Sequence, residues 1–286
     1  MAEVALLKSI RLWLPSRVAG LPSLLAAFQD ECALYYVFSA RPVATLAAYI
    51  AAGPGGALGL EPAHARFAAA CVASALEALH AMQVLLRSVS AGQLLVEESG
   101  YIVVTEMRSA RLLQGELAYS MAGPPDALAP EVVTGQGHSF AADWWALGTL
   151  TYELLCGAGP FAAAGGDELR LARAVFEHAH GALTFPPRVA GAADAAPLCA
   201  LAQDLMHHAP ADRLGAGGAA DVHAHAAFIG VEFDGLASGT VESPLSKAAR
   251  EMLAHPKEEG EGSAAPLPEL PPCDDHEWCA DFSSSL

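Results

Sequence analysis

The sequence predicts an α+β fold, with short strands gathered before residue 105 and helices dominating from there to about Phe228. Two observations carry this. Leu34 to Phe38 is a short β-branched and aromatic run followed by Arg41 and Pro42, the pattern of a buried strand that ends in a linker. Gln93 to Glu97 and Tyr101 to Thr105 are two apolar runs around Glu98, Ser99 and Gly100, the signature of a hairpin. Between these strands, Thr45 to Ala52 reads as a short helix. Glu61 to Met82 reads as a long core-facing one, with Phe67, Cys71, Val72, Leu76 and Leu79 at helical spacing. The glycine-rich stretch from Gly53 to Gly59 follows a helix, whereas a phosphate-binding loop follows a strand, so it reads as a connector.

Composition limits what the chain can do. Of its 286 residues, 53% are hydrophobic and 16% charged, which is enough to build a sizeable core. No apolar stretch approaches the roughly 18 residues a membrane span requires. With 15 Lys and Arg against 32 Asp and Glu, the net charge of -17 repels phosphate backbones and anionic headgroups. Neither nucleic acid nor a membrane surface is an expected partner. The six cysteines are scattered without a C-x-x-C pair, which points to free thiols and a cytoplasmic location. His207, His208, His223 and His225 have no cysteine or carboxylate at ligand spacing and read as solvated or capping groups. Beyond Phe228 the texture changes, setting expected domains at 1–228 and 229–286. From Glu258 the chain carries eight acids, no Lys or Arg, and Pro266, Pro268, Pro271 and Pro272, the composition of a tail.

Between Leu79 and Phe161, four phrases fall in one order. They are Leu79-His80 with Leu86 to Leu95; Gly100 to Arg108; Gly123 to Glu131, which ends in Ala129-Pro130-Glu131; and Asp143 to Gly148 with Tyr152-Glu153-Leu154. Asp212 to Gly215 follows later. Together these resemble the catalytic loop, metal-binding turn, peptide-positioning loop, central helix and late arginine of the protein kinase family. Glu61 to Phe67 and Ala224 to Phe228 resemble the AGC branch, and Pro271 to Phe282 is similar to the tail ending of cyclic-GMP-dependent protein kinases. The resemblance implies a kinase-like fold with a mainly α-helical large lobe and a C-terminal tail that wraps the small lobe. It also implies ATP and magnesium as cofactors, with Phe38, Ser39, Arg41 and Leu94 around the adenine.

The small lobe is expected to be reduced, because about 33 residues precede the Leu34 strand where the family places a glycine-rich loop and three strands. By resemblance, Glu3 corresponds to the glutamate of the regulatory helix. Lys8 mimics the strand lysine but stands too close to Leu34 for a normal helix to intervene.

Phosphoryl transfer needs a proton-accepting carboxylate, a lysine beside the moving phosphate, and oxygen ligands for magnesium. By resemblance, Ser88 occupies the position of the catalytic aspartate, and losing such a group costs about 10² to 10⁴ in rate. Ser90 stands at the loop lysine position, and Gln93 replaces the metal-binding asparagine. Glu106-Met107-Arg108 replaces Asp-Phe-Gly, so Glu106 and Gln93 are the remaining magnesium candidates. The extra methylene of Glu106 displaces its oxygens by about 1 Å from a metal that demands near-octahedral geometry. Arg108 in place of glycine limits the turn's flexibility. The architectural set is kept: Glu131 to pair with Arg213, Asp143 to anchor the loop, and Arg87 to meet a phosphate on Ser120.

The expected function is therefore a pseudokinase, a binding or scaffolding module with an unidentified protein partner. The rivals are a residual ATP-dependent serine/threonine kinase and a truncated gene product. In the acidic tail, Trp278 and Phe282 are the partner-like residues, set against a solvated tail or an intramolecular wrap.

Overall fold

The computed structural model describes residues 18–21, 24–29, 34–53, 58–165, 167–178 and 183–254. Glu3, Lys8, the glycines of the connector at 55 and 56, and the acidic tail with Trp278 and Phe282 lie outside the described residues.

Strands β1 (Leu24–Gln29) and β2 (Leu34–Phe38) pair antiparallel, with Ala27 opposite Tyr36. The second is the strand expected from its β-branched and aromatic run. Strand β3 (Pro42–Thr45) leads into α1 (Leu46–Ala52), whose start is fixed by Thr45: its hydroxyl accepts the Ala48 N–H at 3.1 Å. Helix α2 (Pro62–Ala81) has proline in its first turn, where the missing N–H costs nothing, and buries Phe67, Cys71, Val72, Leu76 and Leu79. Strand β4 (Val84–Leu85) then enters the loop that carries most of the candidate residues.

The predicted hairpin is present as β5 (Leu94–Glu97) and β6 (Ile102–Val104), joined through Gly100 at φ +80° and paired with Leu94 opposite Val104. With β3 on the other side of β5 they form a sheet in the order β3-β5-β6. Strand β7 (Arg111–Leu112) pairs with β4. Helix α3 (Pro130–Val133) precedes α4 (Ala141–Cys156), a buried helix that ends at Gly157 in the left-handed conformation. Its Trp144, Leu147, Leu150 and Leu154 lie in the main core, while Trp145 stacks with Phe161 in a second cluster.

Helices α5 (Glu168–Glu177), α6 (Pro187–Ala190) and α7 (Ala196–Leu205) complete the helical part around α4. Gly148 lets α7 approach closely, since a side chain there would run into Met206 and Leu205. Helix α8 (Ala219–His223) follows.

Past Phe228 the chain joins the same body as far as Ala254. Helices α9 (Phe233–Ser238) and α10 (Ser246–Ala254) bury Leu236 and Ala249, and Leu245 is buried just before the second. The attachment is also polar: Ala19 N–H donates to Ala237 O at 2.8 Å, the Tyr49 hydroxyl to Leu245 O at 3.3 Å, and the Tyr101 hydroxyl to Val241 O at 2.7 Å. Ser243 Oγ donates to Gly100 O at 2.9 Å, tying this segment to the hairpin turn.

Candidate functional site

The loop from Leu86 to Gln93 runs between β4 and β5 and is held from below by α4. Asp143, in the first turn of α4, is wholly buried and accepts three hydrogen bonds, from Leu86 N–H at 2.9 Å, Arg87 N–H at 2.8 Å and the His80 ring at 2.8 Å. Arg87 has φ +60°, a conformation costly for a side-chain residue, and the Asp143 bond to its N–H keeps it there. Gly123 presses on the Arg87 carbonyl so closely that any Cβ would collide with it. The Arg87 side chain reaches the other way, with Nε donating to Ser109 O at 2.6 Å and Nη1 to Ser120 Oγ at 2.8 Å. Burial, and then nearby Arg111, hold its guanidinium below the ordinary range against the pull of Asp143.

The next positions close on themselves. Ser88 is buried and donates through Oγ to the Glu106 carbonyl at 2.7 Å. Ser90 is buried, and its carbonyl accepts the N–H groups of Gln93 and Leu94. Gln93 Oε1 is buried without a hydrogen-bond partner among the described residues. The Glu106 carboxylate is gripped by Arg108, whose Nε lies 3.0 Å from both oxygens, whose Nη2 lies 2.7 Å from Oε2, and whose backbone N–H lies 2.8 Å from Oε1. The Arg108 hydrogen bond holds the Glu106 carboxyl below the usual carboxylate range, with burial opposing it.

The four expected adenine neighbours divide. Leu94 is wholly buried and Phe38 packs against the same main core, while Ser39 and Arg41 line a cleft of about 370 Å³ with Glu97, Glu98, Ser99 and Arg250. Glu131 and Arg213 meet as a buried fork, at 2.7 and 2.9 Å, and Arg213 also donates to Ala141 O at 2.7 Å. His225 accepts the Ala227 N–H at 3.1 Å as a cap, and His223 stacks on Phe233 at 3.5 Å.

Two features were not legible in advance. The fold-back of Arg108 onto Glu106 is one, since the sequence shows only that an arginine stands two positions after the glutamate. The other is Glu153 in α4, whose carboxyl is pushed up to about 7 by burial and then by the charge of Asp126, although a hydrogen bond from Ala91 opposes the rise. A lone acid in a strongly apolar helical stretch was the available signal.

Residues 2–227 match the protein kinase domain family. The chain belongs to the protein kinase family. It is 33% identical over 221 residues to a cGMP-dependent protein kinase (isozyme 2 forms cD5/T2) of Drosophila melanogaster, covering 76% of this chain and 22% of that protein. It is 32% identical over 220 residues to the cGMP-dependent protein kinase of Eimeria tenella, covering 76% and 21%. A third relative is the cGMP-dependent protein kinase egl-4 of Caenorhabditis briggsae, 33% identical over 184 residues, covering 63% and 24%. The chain thus matches about a quarter or less of the length of these curated relatives. The kinase-like α+β fold expected from the motifs is the fold of this family. Among the described residues, no helix is long and apolar enough to cross a membrane.

Kinases of this family generally use ATP and magnesium. The oxygen donors at the turn do not fit the metal. Mg²⁺ asks for carboxylates beside substrate phosphates, and here the Glu106 carboxylate is already matched by a guanidinium on both oxygens. Gln93 offers a neutral amide oxygen and Ser88 a hydroxyl already directed at a carbonyl.

Proposed function

We propose that this kinase domain acts as a non-catalytic binding module that positions a protein partner in the cytoplasm. The observation that carries the reading is the closure of Ser88 and Glu106 on their own neighbours. Phosphoryl transfer depends on charges aimed at the moving phosphate and the attacking hydroxyl. Ser88, Ser90 and Gln93 carry none, and the charge of Glu106 is met by Arg108.

The preserved architecture supports a module rather than a relic. Asp143 anchors the loop and Arg213 joins Glu131, so the surfaces around them keep their shape without chemistry. The net charge of -17 favours a protein partner over nucleic acid or an anionic membrane. Within the same reading Ser120 is a phosphosite. Arg87 Nη1 is 2.8 Å from its hydroxyl, and a phosphate there would gain a charge-assisted hydrogen bond.

Calorimetric titration with ATP, with and without Mg²⁺, tests the reading alongside incorporation of γ-phosphate into peptide. The expected result is no transfer and no tightening of ATP by Mg²⁺. Transfer that disappears in Glu106→Ala would establish a residual serine/threonine kinase instead.

A further inference from the structure

We infer that Arg108 stands in for the metal ion at this site and, together with Ser88, holds the Glu106–Met107–Arg108 turn in one conformation without any metal. The inference rests on the non-catalytic reading and says what the altered positions do in place of chemistry.

Three contacts, on three different parts of the turn, point the same way. The backbone of Glu106 is pinned at its carbonyl by Ser88 Oγ at 2.7 Å, a bond made by a side chain that is only 1% exposed. The side chain of Glu106 is forked by Arg108, and both carboxylate oxygens receive donors within 3.0 Å. Between them, the Met107 side chain is buried in the main core. Backbone, carboxylate and central side chain are thus fixed by three independent neighbours.

The arginine fits without strain. Among the described residues, Gln83 and Arg87 are the non-glycine residues with positive φ, so Arg108 sits in ordinary backbone space where a side chain is tolerated. Its guanidinium is planar and forked, which matches two carboxylate oxygens in a way that a lysine ammonium does not. The pair lies towards solvent, with the Arg108 side chain 77% exposed, so its effect on global stability is small. Its effect on the site is occupancy. A divalent cation approaching Glu106 meets a fixed positive charge on both oxygens and must displace it as well as its own tightly held water.

Hydrogen–deuterium exchange on the full chain tests this, followed in the peptide spanning the turn, with chelator and with excess Mg²⁺. In the wild type the turn is expected to exchange at the same rate in both conditions. Arg108→Gly and Ser88→Ala are each expected to speed exchange there by about tenfold while α4 stays protected. Slowing of wild-type exchange by Mg²⁺, or an unchanged rate in either variant, would overturn the inference. If Arg108→Gly loses protection throughout α4, Arg108→Lys replaces it, since it keeps the charge and loses the fork. A smaller acceleration is then expected, and none at all counts against the proposal. A γ-phosphate transfer assay on the same wild-type sample separates the two claims. Transfer with a metal-independent turn removes the non-catalytic reading alone, whereas a metal-dependent turn without transfer removes the lock alone.

Discussion

Asp143 and Glu106 are two carboxylates serving the same short stretch of chain, and they are held in opposite ways. Asp143 is wholly buried and receives its bonds from two backbone N–H groups and a histidine ring. Glu106 faces solvent on one side and receives its bonds from the residue two positions on. Removing the first strands buried donors that have nowhere else to turn. Removing the second takes one contact from an arginine whose side chain is mostly exposed. The difference teaches that the kinase body is maintained through groups whose partners are backbone and buried, and that the surface chemistry above it can change with little cost to the fold.

The comparison is tested most severely at Asp143. Asp143→Ala leaves the N–H groups of Leu86 and Arg87 unpaired and is expected to cost about 3–5 kcal/mol, read as a lowered denaturant midpoint. A loss below about 1 kcal/mol would show that the loop holds itself without the anchor. The buried fork comes next. Glu131→Ala alone is expected to cost about 3 kcal/mol or more, because it leaves the buried Arg213 charge with backbone carbonyls but without its carboxylate. Glu131→Ala with Arg213→Met is expected to cost less than the sum of the singles in a double-mutant cycle.

A third test uses pH. The Glu153 carboxyl titrates at about 7 in the folded protein and near 4.5 otherwise, so the folded chain binds the extra proton between those values. Stability contributed by this group is therefore full below the ordinary carboxylate range, falls as pH rises, and is lost above about 7. The drop is of order 3 kcal/mol. Glu153→Gln should flatten that part of the profile in denaturation curves taken between these limits. The smallest expected effect is at Glu106 itself: Glu106→Gln should shift global stability by less than about 1 kcal/mol. A loss as large as that at Asp143 would erase the contrast. At Ser120, phosphorylation should raise the melting temperature slightly, and Arg87→Ala should abolish that gain.

The elements legible in the sequence were those marked by bulky or special residues. Leu34 to Phe38 announced a strand through its aromatics, and the hairpin announced itself through Gly100. The strand at Leu24–Gln29 did not, because its two alanines interrupt an apolar run with no strand-like branching. The identities of Ser88, Ser90, Gln93 and Arg108 are plain in the sequence, yet the partners of Ser88 and Arg108 are not. A spacing of two residues says nothing about whether an arginine folds back onto a glutamate or extends into water. The docking of α9 and α10 was hidden for a related reason, since Leu236, Leu245 and Ala249 are isolated apolar residues in a polar stretch and carry no periodic signal.

That docking sets the order in which the chain can finish folding. The Tyr49 hydroxyl finds its acceptor 196 positions later, at Leu245, and the backbone of Ala19 bonds to Ala237. Tyr49 and Ala19, made earlier in translation, wait for these later segments before their polar groups are satisfied, and such long-range contacts slow folding more than they cost in stability. Until α9 has left the ribosome, the face of α2 that it covers stays open to water, an apolar surface of the kind that invites aggregation and chaperone binding.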